Sequence, residues 1–290
     1  MAEATGTQRE TGRITSMTRD GLTFDVYDEG PAGGEVVVLL HGFPERASSW
    51  RRVAPLLHEA GYRTVAMDQR GYSRGARPKR RRDYRLRELL GDVLALVDTV
   101  APGEKVHVVG HDWGAVPAWL LAAHHPDRVA TLTAVSVPHP AAFLAAMVRS
   151  GQLLHSWYMA AFQLPFLPER LLSSRMRSAD GLVSSFGMTE EDVVRFREEV
   201  VDDGALPGGL GWYRALPLEG RALLRRKVAV PTTMVWSDGD VAVERWGPEH
   251  TGRWVDAPFR FVALEGVSHW IPTHAPEALA EAILDRVRGG

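Results

Sequence analysis

The most constraining feature of this sequence is a pair of short apolar runs, rich in β-branched residues, that each end abruptly in a glycine turn. Residues 36–40 run into His41-Gly42-Phe43-Pro44, and residues 106–109 run into Gly110-His111-Asp112-Trp113-Gly114. Runs this short, bounded by glycine, suit strands buried on both faces better than helices. Around them the spacing switches to the helical period. Trp50, Val53, Leu56 and Leu57 follow Ser48 and Ser49 and stop at Gly61, and Leu89, Val93, Leu94 and Val97 carry a second helix. Residues 115–123 read as a third helix ending at Pro126, while 22–28, 62–67 and 129–137 read as strands. Strands alternating with helices predict a largely parallel sheet covered on both faces, with function at the carboxyl ends of its strands.

After Pro138 that rhythm is lost. From 138 to 228 only helical or irregular pieces, such as 190–201, sit between glycines and prolines, which predicts a helical lid inserted into the fold. The core is then discontinuous, 1–137 plus 229–290, with strand patterning resuming at 228–236 and 259–264 and an amphipathic helix closing the chain at 276–287. A chain of 290 residues that is 45% apolar and 24% charged can bury such a core. Its net charge of −2 offers no field for polyanions, so neither nucleic acid nor a membrane surface is an expected partner. The absence of cysteine excludes disulfides, thiol nucleophiles and thiolate metal sites, and fits a cytoplasmic setting. Any nucleophile must be oxygen or nitrogen. The opening residues, with Glu3, Arg9, Glu10 and Arg13, lack the apolar centre of a secretory signal, and no run approaches the ~20 residues needed to span a bilayer. Neither repeats nor low-complexity tracts are present.

The chemistry sits at the strand ends. Gly110-His111-Asp112-Trp113-Gly114, between a strand and a helix, has the shape of a nucleophile elbow with aspartate at its centre. Taken alone, Asp112 could equally cap the following helix. Downstream partners in the right order favour the catalytic reading. In His41-Gly42-Phe43-Pro44, after the other apolar strand, the Phe43 N–H can converge with that of Trp113 on one oxygen, and His41 reads as a structural hydrogen-bonding residue. Trp236-Ser237-Asp238-Gly239-Asp240 ends a late strand with two carboxylates, of which Asp240 is favoured as orienter of a base and Asp238 as a turn former. Gly266-Val267-Ser268-His269-Trp270 follows the last strand and makes His269 the general base. Nucleophile, acid and histidine thus run Asp112, Asp240, His269. The other histidines show no metal-ligand spacing; His124 and His125 suit a helix C-terminus, and His58, His107, His155 and His250 stand alone. The basic run Lys79-Arg80-Arg81-Arg82 reads as solvated surface.

Together these residues resemble the soluble, cofactor-independent epoxide hydrolases of the α/β-hydrolase fold, over nearly the whole chain after residue 12. The similarity includes Asp68-Gln69-Arg70-Gly71-Tyr72-Ser73, Tyr158 four residues before Phe162-Gln163, and Trp212-Tyr213-Arg214. It implies a mostly parallel eight-stranded sheet under a helical lid, no cofactor or metal, and Tyr158 and Tyr213 as donors to an epoxide oxygen. The chemistry agrees: an aspartate attacking an alkyl carbon leaves an ester that water can cleave, where serine would leave an ether. The expected reaction is attack of Asp112 on an apolar epoxide, then hydrolysis of that ester by water activated by His269 and Asp240. The amides of Phe43 and Trp113 would form the oxyanion hole. Trp157, Phe162, Trp212 and Trp270 are expected to line an apolar substrate pocket. Ala115, Ser237 and Ser268 depart from the glycines common at those positions. The rival readings are a haloalkane dehalogenase, which shares the aspartate nucleophile but has no use for paired phenols, and a non-catalytic binding protein on the same scaffold. A homodimer is compatible with a sequence that sets no oligomeric state.

Overall fold

The structure, a computed structural model, describes residues 5–8, 12–178, 186–220 and 222–289. Much of the polar opening segment, with Glu3, Arg9 and Glu10, lies outside the described residues. The strands are β1 (Thr5–Gln8), β2 (Ile14–Arg19), β3 (Leu22–Glu29), β4 (Val36–Leu40), β5 (Arg63–Met67), β6 (Val106–His111), β7 (Val129–Val135), β8 (Thr232–Gly239) and β9 (Phe259–Ser268). They form one sheet in the order β1-β2-β3-β5-β4-β6-β7-β8-β9. The first three strands and β5 pair antiparallel, and from β5 onward every pairing is parallel. The fold is therefore the expected α/β-hydrolase arrangement, with the short edge strand β1 added to the eight anticipated strands.

Side-chain alternation on the central strands builds two cores. Val38 and Leu40 of β4 face one way, into a cluster with Met67, Val108 and residues of helices α2 (Leu86–Val100) and α3 (Ala115–His124). Val37 and Leu39 face the other way, toward Trp50, Leu57 of α1 (Ala54–Glu59) and Ile283 near the C-terminus. Burial on both faces explains why Val36–Leu40 is apolar without interruption. In the sheet β4 lies between β5 and β6, so the chain leaves the carboxyl ends of β4 and β6 toward opposite sides. This reversal opens the crevice in which α/β folds place ligands.

Two boundaries differ from the sequence reading. The strand expected from 228 begins at Thr232, because Pro231 has no N–H to give a ladder; Val228 makes only an isolated bridge to Val255. The Ser48 and Ser49 hydroxyls do not cap α1; they lie within a tight turn at Ala47–Arg52 whose first residue is preceded by Arg46. Between β7 and β8 the described residues hold helices and no strand: α4 (Pro140–Arg149), α5 (Gln152–His155), α6 (Trp157–Ala161), α7 (Leu167–Ser178), α8 (Glu190–Phe196) and α9 (Leu206–Ala215). The helix read at 190–201 is α8 followed by a wider turn of helix at Arg197–Asp202. After β8 come α10 (Trp246–His250), α11 (Ile271–His274) and α12 (Pro276–Val287).

Glycine sets how closely α9 meets the core. A Cβ on Gly208 would lie 2.3 Å from the Gly71 carbonyl oxygen, and Gly71 itself has φ +97°. The loop carrying Gly71 is fixed by a buried ion network, in which Arg70 Nε and Nη2 each donate to Asp92 of α2 at 2.7 Å while Arg19 Nη1 donates to the same carboxylate at 2.7 Å. Arg81 reaches across as well, donating to the Arg214 carbonyl and, at 2.9 Å, to Gln163 Oε1. Its neighbours Lys79, Arg80 and Arg82 are exposed.

Candidate active site

β6 delivers Asp112 on a turn with φ +50°, a conformation disfavoured for a residue with a Cβ. The flanking glycines make that turn sterically feasible. A Cβ at Gly110 would lie 2.4 Å from the Gly114 carbonyl oxygen, one at Gly114 2.2 Å from Leu40 O, and one at Gly42 2.4 Å from Asp112 Cβ. The β4 and β6 turns therefore touch, backbone against backbone. The Phe43 N–H donates to Asp112 Oδ1 at 2.7 Å, and the Trp113 N–H bonds the same carboxylate. Oδ2 faces His269 Nε2 at 3.4 Å. Burial works to raise the Asp112 pKa, but the hydrogen bond and charge of His269, the nearby His111 and the Trp113 amide outweigh it and hold the carboxyl below the usual range.

Of the two carboxylates in the β8 turn, Asp240 is the one that meets the histidine. Its Oδ2 lies 2.7 Å from His269 Nδ1, while Oδ1 accepts from the Ala242 and Val243 N–H groups at 2.8 and 2.9 Å. Asp238 faces solvent and accepts from the Gly266 N–H at 2.7 Å, closing a turn. Burial disfavours the His269 cation, yet Asp240 and Asp112 on either side raise its pKa well above the ordinary value. The imidazole thus lies between two carboxylates that favour its charged form. His41 is different: fully buried, it accepts from the Gln69 N–H at 3.0 Å, and desolvation pulls its pKa down to about 4.

From the helical segment 138–228, Tyr158 of α6 and Tyr213 of α9 bring their rings to 6.0 Å from each other. Both border the cavity that holds Asp112 and His269. Burial first, and then the charges of Asp112 and Asp240, push the Tyr158 phenol up; burial, Tyr158 and Asp112 do the same for Tyr213. Both stay protonated donors at neutral pH. The cavity, about 300 Å³, is walled mainly by apolar and aromatic side chains, Phe43, Phe162, Phe196, Met188 and Trp270 among them. Its exposed lining residues, His155, Trp157 and Val241, mark the mouth.

One expected pocket residue does not line this cavity. Trp212 is turned away, sandwiched between Trp113 at 5.7 Å and Tyr72 at 5.1 Å, with its indole N–H donating to the Arg70 carbonyl at 2.8 Å. On a helix, adjacent positions lie about 100° apart, so Tyr213 facing the cavity sends Trp212 into the core. Sequence reasoning also missed the residues that brace the site from behind. His111 Nε2 meets the His269 carbonyl at 2.9 Å, and Gln152 of α5 accepts from the Glu244 N–H and donates to Ala242 O, both at 2.8 Å, clasping the Asp240 loop. Being second in the elbow was the one sequence cue for His111; Gln152 had none.

A family model for the alpha/beta hydrolase fold matches residues 35–271. Epoxide hydrolase 3 of Xenopus tropicalis is 33% identical over 284 residues, 93% of this chain and 76% of that protein. The chain belongs to the epoxide hydrolases of the α/β-hydrolase fold. An AB hydrolase superfamily protein of Bacillus subtilis is 35% identical over 94% of this chain and 96% of its own length. Among solved structures, an epoxide hydrolase from Vigna radiata superposes with a TM-score of 0.80 at 29% identity, covering 95% of this chain and 97% of that one.

Within this family the two serines that depart from glycine are both engaged. Ser237 Oγ donates to the Ser268 carbonyl at 2.9 Å, and Ser268 Oγ lies 2.7 Å from His274 Nδ1. Ala115 is fully buried against the elbow. Among the described residues no cluster of His, Asp and Glu is arranged to hold a metal ion, and no helix is long and apolar enough to cross a membrane.

Proposed function

We propose that this protein converts an apolar epoxide and water to a vicinal diol through an alkyl ester on Asp112. The observation that carries the reading is the convergence of a buried carboxylate, a His–Asp pair and two protonated phenols on one apolar cavity. Asp112 Oδ1 is occupied by the Phe43 amide, which leaves Oδ2 as the attacking atom. In the first step Oδ2 bonds the epoxide carbon, the ring C–O bond breaks, and Tyr158 or Tyr213 gives its proton to the alkoxide. Phenols suit this, being far more acidic than the alcohol formed yet protonated at neutral pH.

Alkylation removes the Asp112 charge that favours the His269 cation, and the proton held there passes by way of water to the phenolate left by the first step, so ester formation itself leaves His269 a base. In the second step His269 Nε2 takes a proton from water as the water oxygen bonds Asp112 Cγ. Oδ1 becomes the oxyanion in the Phe43 and Trp113 amides, where one lost donor typically costs about 2.7–4 kcal/mol. Collapse breaks the Cγ–Oδ2 bond, His269 protonates the departing oxygen, and the second water proton passes from the Asp112 carboxyl to His269, which restores the starting state. Asp240 holds the imidazole tautomer throughout. Residues 138–228 act as the lid that supplies the phenols and shuts out bulk water, and we place the reaction in the cytoplasm.

His269→Gln incubated with styrene oxide should yield, by intact-mass and peptide analysis, an adduct of substrate mass on Asp112. No adduct across terminal, trans-disubstituted and aromatic epoxides would remove this reading. Adducts from haloalkanes that lack the halogen would instead favour a dehalogenase.

A further inference from the structure

The turn that carries His269 is held from the core side by Ser237 and His111, as described above, and by Ser136, whose Oγ donates to the His269 carbonyl at 3.2 Å. Its other side is tied to the helical segment by a directed chain of hydrogen bonds. The Trp270 N–H points to Ser268 Oγ at 3.3 Å, Ser268 Oγ lies 2.7 Å from His274 Nδ1, and His274 Nε2 lies 2.7 Å from Asp192 Oδ2. The donor sense is consistent along the chain when His274 is neutral with its proton on Nε2. Asp192 belongs to α8, where its Oδ2 also accepts from the Thr189 N–H at 2.9 Å and the Thr189 hydroxyl at 2.8 Å while its own N–H donates back to Thr189 Oγ1. The far end is therefore anchored in a reciprocal helix cap. Parallel to it, the Trp270 indole N–H donates to the Phe186 carbonyl at 2.8 Å. Ser268, His274 and Asp192 stand outside the cavity wall, yet with Phe186 they grip Ser268 and Trp270, the residues on either side of the histidine.

We propose that Ser268, His274 and Asp192 are positioning residues through which helix α8 sets the orientation of His269 for ester hydrolysis. This rests on the role given to His269 in the reading above. Asp112 and both phenols are held by other elements, so the chain should matter for the second chemical step and not for the first. A general loosening of the helical segment would do the opposite, since it would displace Tyr158 and Tyr213.

The test separates the two steps in rapid-mix single turnovers with styrene oxide, following ester formation and ester decay in wild type, His274→Ala, His274→Gln and Ser268→Ala. Misplacing a reacting group by about an ångström can cost up to ~100-fold. His274→Ala and Ser268→Ala should therefore slow ester decay about 10- to 100-fold while ester formation stays within about threefold. His274→Gln should recover most of the loss, because its amide can accept from Ser268 and donate to Asp192 with the spacing of the two ring nitrogens. Should His274→Ala fail to fold, Ser268→Ala, which removes one hydroxyl, carries the measurement. Equal slowing of both steps, unchanged decay, or a folded His274→Gln as slow as alanine would overturn the proposal. If wild type makes diol with no ester, the underlying reading has failed; if wild type passes through the ester and the variants match it, only the positioning role has.

Discussion

Asp112 concentrates strain and charge in one residue. A positive φ at a non-glycine position costs on the order of 1–3 kcal/mol, and here it aims the carboxylate across the crevice instead of along the helix. Its lowered pKa has a sign consequence. The stabilisation from the charged form is fully present above the ordinary aspartate value and is lost as pH falls through the lower folded one; for His269, raised instead, it is present below the ordinary histidine value and lost as pH rises through the folded one. Ester formation should therefore be level from about pH 5 to about pH 9, with carboxylate and phenols both in working form. Single-turnover rates across that range check this, and a titration near neutrality in the first step would contradict it. At this scale Asp112 and His269 were legible because glycines and strand ends frame them. Asp240 was favoured over Asp238 in the sequence, and the structure sets it against His269, whereas Trp212 was misplaced because one helix step decides between cavity and core.

At the scale of elements, the geometry depends on helix α9 lying close enough to the core to deliver Tyr213. Gly208→Ala should push the helix off Gly71, since the obstructing atoms are backbone and cannot rotate aside. The expected cost is about 1–3 kcal/mol in urea unfolding, with slower ester formation as the phenol withdraws. Unchanged stability and rate would show that α9 can shift freely. The central strands were readable because burial on both faces forces continuous apolar runs. The edge was not: the burial of β2 follows no simple alternation, with only Ile14 and Met17 fully covered, and β1 is short and polar. The helices from α4 to α9 were foreseen as a block, but their packing follows from contacts such as Gln152 with Ala242 that leave no periodic mark.

Across the whole molecule, the proposed reaction draws its nucleophile, acid and base from the discontinuous core and its proton donors from the intervening helices, so it needs both parts on one cavity. The elbow pointed to the nucleophile alone, and the lid phenols came from the family resemblance. The ties between the parts, Arg81 to Gln163 and His274 to Asp192, join residues far apart in the chain and emerge only from the fold. The central claim is that Asp112 is alkylated and then freed by water attacking its own carboxyl carbon. It is tested most directly by one turnover of enzyme in excess over epoxide in ¹⁸O-labelled water, followed by mass analysis of the diol and of the peptide bearing Asp112. The account predicts one heavy oxygen in Asp112 and none in the first diol released; heavy oxygen in that diol, with Asp112 unlabelled, would mean that water opens the epoxide directly and would contradict it.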